Sequence, residues 1–277
     1  MIERPKVVAP GIEAFPARTP TLPPATHTNS YGLGEREVLL IEPATPDDDE
    51  RRAWLLWARS LSSHGRKPIA LVLTHHHRDH VGGAAFFSGA LNLPLWAHRA
   101  TTERLGDLHF LRHLSDGDDL RLDGPRPQTW RVLHTPGHAP GHVCLWEPNL
   151  RTLVVGDMVA SVGTILIEPD DGDMAEYLRQ LRRLADLDAT LALPAHGAPI
   201  ENPTPHFEHY IQHRLMREAK VVAALSDNPL EIRDLLPMAY GDTPQSIWIL
   251  AAMSLESHLI KLEREGRARR SERGWSC

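Results

Sequence analysis

The sequence predicts an α/β layered domain followed by a small helical satellite. Three observations carry this reading. Short apolar runs alternate with helical patterns over about the first 200 residues, as in layered α/β domains. Several of those runs end on a lone His or Asp. Beyond Pro203 nearly every segment reads as helix. The composition agrees: 277 residues, 42% hydrophobic and 24% charged, is ordinary for a folded globular chain and excludes disordered, collagen-like and coiled-coil classes. The length allows one large domain, or one of about 200 residues with an appendage. The boundary is expected at Pro203, with residues 1–203 catalytic and 204–277 helical.

Residues 1–30 are rich in proline and threonine and read as an irregular lead-in. Val38–Glu42 is a short strand. Asp47–Asp49 offer caps for a helix through Trp54, Leu55, Ala58 and Leu61, with Gly65 as its stop. Ile69–Thr74 is almost wholly apolar, as a strand buried on both faces would be. Ala84–Leu91 reads as helix and Leu95–Ala97 as strand. Trp130–His134, Val143–Trp146 and Leu153–Gly156 are three more strands. Asp173 caps a helix whose Met174, Tyr177, Leu178, Leu181 and Leu184 form one apolar face. Leu191–Leu193 is a final strand. Helices follow at His206–Leu225, at Leu230–Leu236 (cap Asn228, with Pro229 first in the helix) and at Pro244–Glu265, which Gly266 ends. Arg267–Trp275 is a basic tail with a hairpin pattern. Trp54, Trp57, Trp96 and Trp248 are expected in cores or interfaces.

The segment Thr74-His75-His76-His77-Arg78-Asp79-His80 concentrates chemistry that composition does not explain, within a chain of 17 histidines. His75 and His77 are two apart where a strand gives way to a loop, so an extended chain puts both imidazoles on one side. Asp79 and His80 follow in the turn. Imidazole and carboxylate together suit zinc or a similar first-row metal. Further ligands are expected at strand ends, where α/β sheets present their sites. His138, Asp157 and His196 each follow an apolar run, with Pro or Gly beside them. Too many ligands gather for one tetrahedral ion, which points to two. His76 is expected exposed, His134 and His142 supporting, and His206, His209 and His213 on one helix face.

In order, Thr-His-x-His-x-Asp-His, Thr-Pro-Gly-His, Gly-Asp and Pro-x-His-Gly resemble the metallo-β-lactamase superfamily, in its hydrolytic dinuclear branch that includes glyoxalase II. The nearer resemblance is to the β-lactamase-like protein 2 group, carried by His213-Arg214-Leu215-Met216-Arg217-Glu218 and by His258–Gly266. The resemblance implies an αββα sandwich with a C-terminal winged-helix-like domain. It also implies that His75, His77 and His138 hold one metal, that Asp79, His80 and His196 hold the other, and that Asp157 bridges them. Asn29, Ser30 and Tyr31 would line the cleft ahead of the first strand. Two departures stand out. Glu42-Pro43-Ala44 replaces the usual Asp and Gly-containing turn, and Ala195 stands where glycine is frequent.

Two cations about 3.5–4 Å apart would activate water near neutral pH. Asp79 would orient it and accept its proton, and a helix starting near Val81-Gly82-Gly83 would point its amide end at the site. The expected cofactors are two divalent ions, Zn2+ foremost, with Mn2+ or Fe as alternatives. The favoured substrate is a small acyl compound: a thioester, ester or lactone. The alternative is phosphodiester cleavage of single-stranded RNA, which the basic cluster Arg264, Arg267, Arg269, Arg270 and Arg273 would favour. β-Lactam cleavage, and a nucleic-acid-binding regulator with a vestigial metal site, rank below these. No Gly-x-Ser-x-Gly elbow, Walker loop or Gly-x-Gly-x-x-Gly turn is present. The net charge of −6 makes the whole chain no trap for nucleic acid or anionic lipid. No run approaches the roughly 20 apolar residues of a membrane span. Two cysteines, Cys144 and Cys277, exclude a disulfide framework. Met1–Pro20 has no apolar core, so a cytoplasmic chain is expected, compatible with a homodimer.

Overall fold

The computed structural model describes residues 4–277, which fall into two compact units. The first comprises the described residues up to Thr135, then 141–164 and 188–203; the second comprises 136–140, 165–187 and 204–277.

The first unit is built on two sheets. Seven strands lie in sequence order in one: β1 (Lys6–Ala9), β2 (Ile12–Arg18), β3 (His27–Leu33), β4 (Glu37–Ile41), β5 (Lys67–Val72), β6 (Leu95–His98) and β7 (Phe110–Leu114). The other runs β13 (Ile200–Glu201), β12 (Leu191–Pro194), β11 (Thr152–Gly156), β10 (Val143–Glu147), β9 (Gln128–His134), β8 (Asp119–Leu122). β4 through β7 pair in parallel, as do β11 and β12. Parallel pairing needs crossovers, and helices α1 (Asp48–Ser63), α2 (Arg78–Val81), α3 (Ala84–Leu91) and α4 (Arg99–Arg104) supply them. It also brings the C-terminal ends of β4 and β5 side by side, and likewise those of β11 and β12.

β5 shows why its sequence is apolar after the exposed Lys67. Ala70 and Val72 enter the core between the sheets, with Tyr31, Ile41, Trp130, Val154 and Leu193. Leu71 and Leu73 enter a second core under α1 and α3, with Trp54, Trp57, Leu61 and Phe87. Both faces of the strand's C-terminal half are buried, so alternation has nothing polar to show. Asp47 caps α1, accepting from the amides of Asp49 and Glu50 at 3.0 and 3.2 Å.

The lead-in is not irregular: β1, β2 and the start of β3 occupy it. Pro16 fits β2 because β1 pairs only with Ile12–Ala14, so that edge needs no donor from residue 16. The edge strands β7 and β8, and the six-residue α4, also went unforeseen.

The second unit holds α5 (Met174–Ala185), α6 (Thr204–Ala224), α7 (Ile232–Tyr240), a 3₁₀ turn at Gln245–Ile247, α8 (Trp248–Arg264) and the ribbon β14 (Arg269–Ser271) with β15 (Gly274–Ser276). Val221, Leu235, Leu255, Leu259, Leu262 and Trp275 belong to its core. α7 does not start at Pro229. Leu230 exchanges backbone hydrogen bonds with Trp275 at 2.8 and 2.9 Å, and that bridge delays the helix to Ile232. Asp173 caps α5 as expected, accepting from the Glu176 amide at 3.0 Å.

Candidate metal centre

Glu42 follows β4 with a left-handed backbone, φ 56°, and is wholly buried. Its Oε1 accepts from the Thr74 hydroxyl and, at 3.1 Å, from His80 Nδ1; its Oε2 takes the Thr74 amide at 3.4 Å. Thr74 Oγ1, having donated its own proton, accepts from His75 Nδ1 at 2.9 Å. One carboxylate thus fixes two imidazoles, His80 directly and His75 through a hydroxyl. In each ring the proton sits on Nδ1, which leaves Nε2 as the ligating nitrogen.

The same division of labour recurs. His196 Nδ1 donates to the His27 carbonyl at 3.0 Å. In the second unit, His138 Nδ1 donates to the Leu166 carbonyl at 2.9 Å. His142 Nδ1 lies 2.8 Å from Thr135 Oγ1, and its Nε2 accepts from the Asp157 amide at 3.0 Å. Gly156 is needed beside it: its φ is +50°, and a Cβ there would stand 2.5 Å from His142 Nε2.

The freed nitrogens converge. His75 Nε2 lies 3.1 Å from His77 Nδ1. Among the described residues His80 Nε2 has no hydrogen-bond partner; it is buried, 3.5 Å from Asp157 Oδ2 and 3.8 Å from Asp79 Oδ1. His196 Nε2 lies 3.4 Å from Asp157 Oδ1 and 3.5 Å from Asp79 Oδ2. Asp79, His80 and His196 each offer an atom within 4.8 Å of the others, as do Glu42, His75 and His80. The first unit therefore gathers His75, His77, Asp79, His80, Asp157 and His196 at one edge of its two sheets. His138 lies in the short segment 136–140, which groups with the second unit.

The electrostatics match. Burial lowers the pKa of His80, but the charges of Asp157, Asp79 and Glu42 outweigh it and hold the ring well above 6.5. Burial likewise opposes a rise at His196, yet Asp157 raises it on balance. Burial pushes Asp157 up, and the His196 and His80 cations hold it well below 3.8. Clustered carboxylates demand positive charge, and two imidazoles supply it as protons. A buried imidazole nitrogen without a hydrogen bond, aimed at two carboxylates, is the donor set a first-row divalent cation takes. The residues fit a metal.

Sequence reasoning did not anticipate the Thr74 relay or the backbone carbonyls of His27 and Leu166; a carbonyl's neighbour across the fold leaves no mark on local sequence. The helix expected near Val81-Gly82-Gly83 does start there: Gly83 is the N-cap of α3, and the Phe87 amide donates to its carbonyl at 2.9 Å. Asp79 and His80 sit in the one-turn α2, and a Cβ on Gly82 or Gly83 would come within 3.0 Å of the backbone oxygens of Ala44 or Thr45. Asn29, Ser30 and Tyr31 lie in β3, the third strand, not before the first. His76 is half-buried, not exposed.

The Metallo-beta-lactamase superfamily model matches residues 23–196, more than half of the sequence. The chain belongs to the metallo-beta-lactamase superfamily. A model for the Beta-lactamase associated winged helix domain matches residues 232–275. Among relatives within the superfamily, the Beta-lactamase-like protein 2 homolog of Drosophila melanogaster is 31% identical over 264 residues, 88% of this chain and 85% of that protein. The Lactamase-like protein vrtG of Penicillium aethiopicum is 29% identical, covering 87% and 76%. A metallo-beta-lactamase family protein from Thermus thermophilus superposes with a TM-score of 0.78 at 26% identity over 97% of this chain and 98% of its own. A beta-lactamase domain protein from Burkholderia ambifaria shares the fold, with a TM-score of 0.81 at 21% identity, covering 99% and 94%. The chain is thus a hydrolase-family protein with a mixed α/β metallo-beta-lactamase fold and a winged-helix domain. Among the described residues no helix is long and apolar enough to cross a membrane.

Proposed function

We propose that this chain is a dinuclear metal-dependent hydrolase of a small acyl substrate: a thioester, ester or lactone. One observation carries the reading. Asp79, His80 and His196 offer ligand atoms within 4.8 Å of one another with Asp157 against both imidazoles, and His75 and His77, their ring nitrogens 3.1 Å apart, stand beside them as the start of a second set. His75, His77 and His138 would hold one cation; Asp79, His80 and His196 would hold the second. Zn2+ is the simplest occupant of this imidazole-rich set, with Mn2+ or Fe as alternatives.

Bound there, the cations would lower the pKa of water toward neutrality and polarise the scissile carbonyl. The remaining work belongs to the chain. Nδ1 anchors on Glu42, Thr74, His27 O and Leu166 O hold the imidazoles without rearrangement. Asp79, partly exposed, accepts the proton of the attacking water and returns it to the leaving group. The protein works in the cytoplasm under this reading, consistent with its two cysteines.

The test is hydrolysis of a thioester, a lactone, a β-lactam and a labelled RNA by metal-loaded wild type and Asp79→Asn. Thioester or lactone turnover that falls about 10²–10⁴-fold in the variant supports the reading. RNA cleavage alone would favour the phosphodiesterase alternative, for which exposed Arg269 and Arg273 on the β14–β15 ribbon are the supporting feature. Their neighbours are committed elsewhere: Arg264 pairs with Asp173 at 2.5 Å, and Arg267 with Glu218 at 2.8 Å.

A further inference from the structure

The first unit contains a cavity of about 350 Å³ beside the ligand cluster. Its floor is the face of β1, β2 and β3 that carries Val8, Pro16, His27 and Asn29; the loop at Pro24 and the turn at Val162 close it, and Gly197–Pro199 forms a wall. That wall continues directly from His196. Asn29 Nδ2 donates to the Pro194 and Gly197 carbonyls at 3.0 and 2.8 Å, and His196 is fixed on His27 O. The cavity and the metal ligand therefore share one stretch of rigid backbone.

The lining is chemically one-sided. It is mostly apolar, and among the described residues no carboxylate lines it. Among the described residues Lys6 is its one lysine or arginine, and none of them forms an ion pair with it. Lys6 stands on the edge strand β1, two strands from β3. Through Ala14 it is in register with Tyr31, four residues along β3 from His27. At roughly 4.8 Å per strand and 3.3 Å per residue, it lies on the order of 16 Å from His27. A nucleic-acid backbone would ask for several cations along its track. One lysine at the far end of an apolar hollow asks for a single anionic group on an apolar body.

We propose that this cavity is the acyl subsite: it takes an apolar acyl or aryl group whose far end bears a carboxylate, which Lys6 receives. The assignment rests on the acyl-hydrolase reading above and narrows it to acids carrying a second, distal carboxylate.

The test uses the full metal-loaded chain and a probe with no scissile acyl bond, dansyl-aminohexanoate, against its methyl ester. Fluorescence titration should show the acid binding about fivefold tighter than the ester, the scale of one exposed ion pair. Lys6→Ala should abolish that difference. Val8→Trp or Ala25→Trp, which fill the cavity from two separate walls, should weaken both probes more than tenfold, with melting temperature as the check on folding. Absence of probe binding, equal binding of acid and ester to wild type, or wild-type affinity in both tryptophan variants that fold overturns the proposal. Thioester turnover that the probe fails to inhibit also overturns it while sparing the hydrolase reading. Probe binding with no acyl turnover, in wild type and Asp79→Asn alike, supports the cavity and defeats the acyl-hydrolase reading.

Discussion

Replacing Glu42 with Gln tests how the fold aims its ligands. The carboxylate takes three donors: the Thr74 hydroxyl and His80 Nδ1 on one oxygen, and the Thr74 amide on the other. Glutamine keeps the size but turns one oxygen into an amide nitrogen. Whichever way the amide lies, a donor then faces a donor. Leaving a buried donor unmatched costs about 1–3 kcal/mol. The loss also reaches His75, whose Nδ1 leans on Thr74 Oγ1. Outer partners of metal-binding histidines are typically worth 10–100-fold in affinity, about 1.4–2.8 kcal/mol. Glu42→Gln should therefore weaken Zn2+ binding by 10–100-fold in competition with a chromogenic chelator. Wild-type affinity in a variant that folds would refute the claim that Glu42 positions these rings.

Other perturbations follow from the same contacts. Metal affinity should fall as pH drops through the raised pKa values of His80 and His196, because the cation must displace protons they hold; isothermal titration should show the slope of log affinity approaching two protons per site, and a flat profile would contradict it. Trp54 is fully buried and donates to Ser30 Oγ at 2.7 Å, so Trp54→Ala should cost about 3–5 kcal/mol in urea unfolding of the first unit. Gly137 has φ +135°, and a Cβ there would stand 2.4 Å from the Tyr177 backbone; Gly137→Ala should lower the denaturation midpoint by more than an exposed Gly117→Ala control. His258 is fully buried, neither ring nitrogen has a hydrogen-bond partner among the described residues, and burial with the neighbouring cation Arg214 lowers its pKa to about 3. Its neutral form is the folded form, so stability is complete above about pH 6.5 and declines as pH falls toward 3, by roughly 5 kcal/mol at the limit. His258→Leu should flatten that part of the metal-free stability curve; an unchanged curve would count against it.

What the sequence disclosed, and what it hid, follow a physical pattern. Elements whose cause is local were legible. Asp47 and Asp173 are side-chain caps, and the helices begin where those caps require. The end of β5 and all of β11 are buried on both faces, and the apolar runs Ala70-Leu71-Val72 and Leu153-Val154-Val155 say so. Of the six converging side chains of the first unit, His75, His77, Asp157 and His196 follow strands, where periodicity breaks and a polar residue has no packing reason to be, and Asp79 and His80 ride the single turn of α2. The hidden elements take their cause from elsewhere. β3 reads His-Thr-Asn-Ser-Tyr-Gly-Leu, a polar string, yet most of it is buried because Ser30, Asn29 and Tyr31 bond distant partners: Glu42 O, Pro194 O and Gly197 O. Leu230 belongs to a bridge formed with Trp275 near the far end of the chain. Glu42 was visible as a departure from pattern, but its role depends on a threonine and a histidine that only the fold brings to it.

Two cations sharing Asp157 are the centre of the proposed chemistry. Crystals of the full chain grown with Zn2+ and measured at the zinc absorption edge should give two anomalous peaks, one against His75 and His77 and one against Asp79, His80 and His196, with Asp157 between them. A single peak, or peaks away from these side chains, would contradict it.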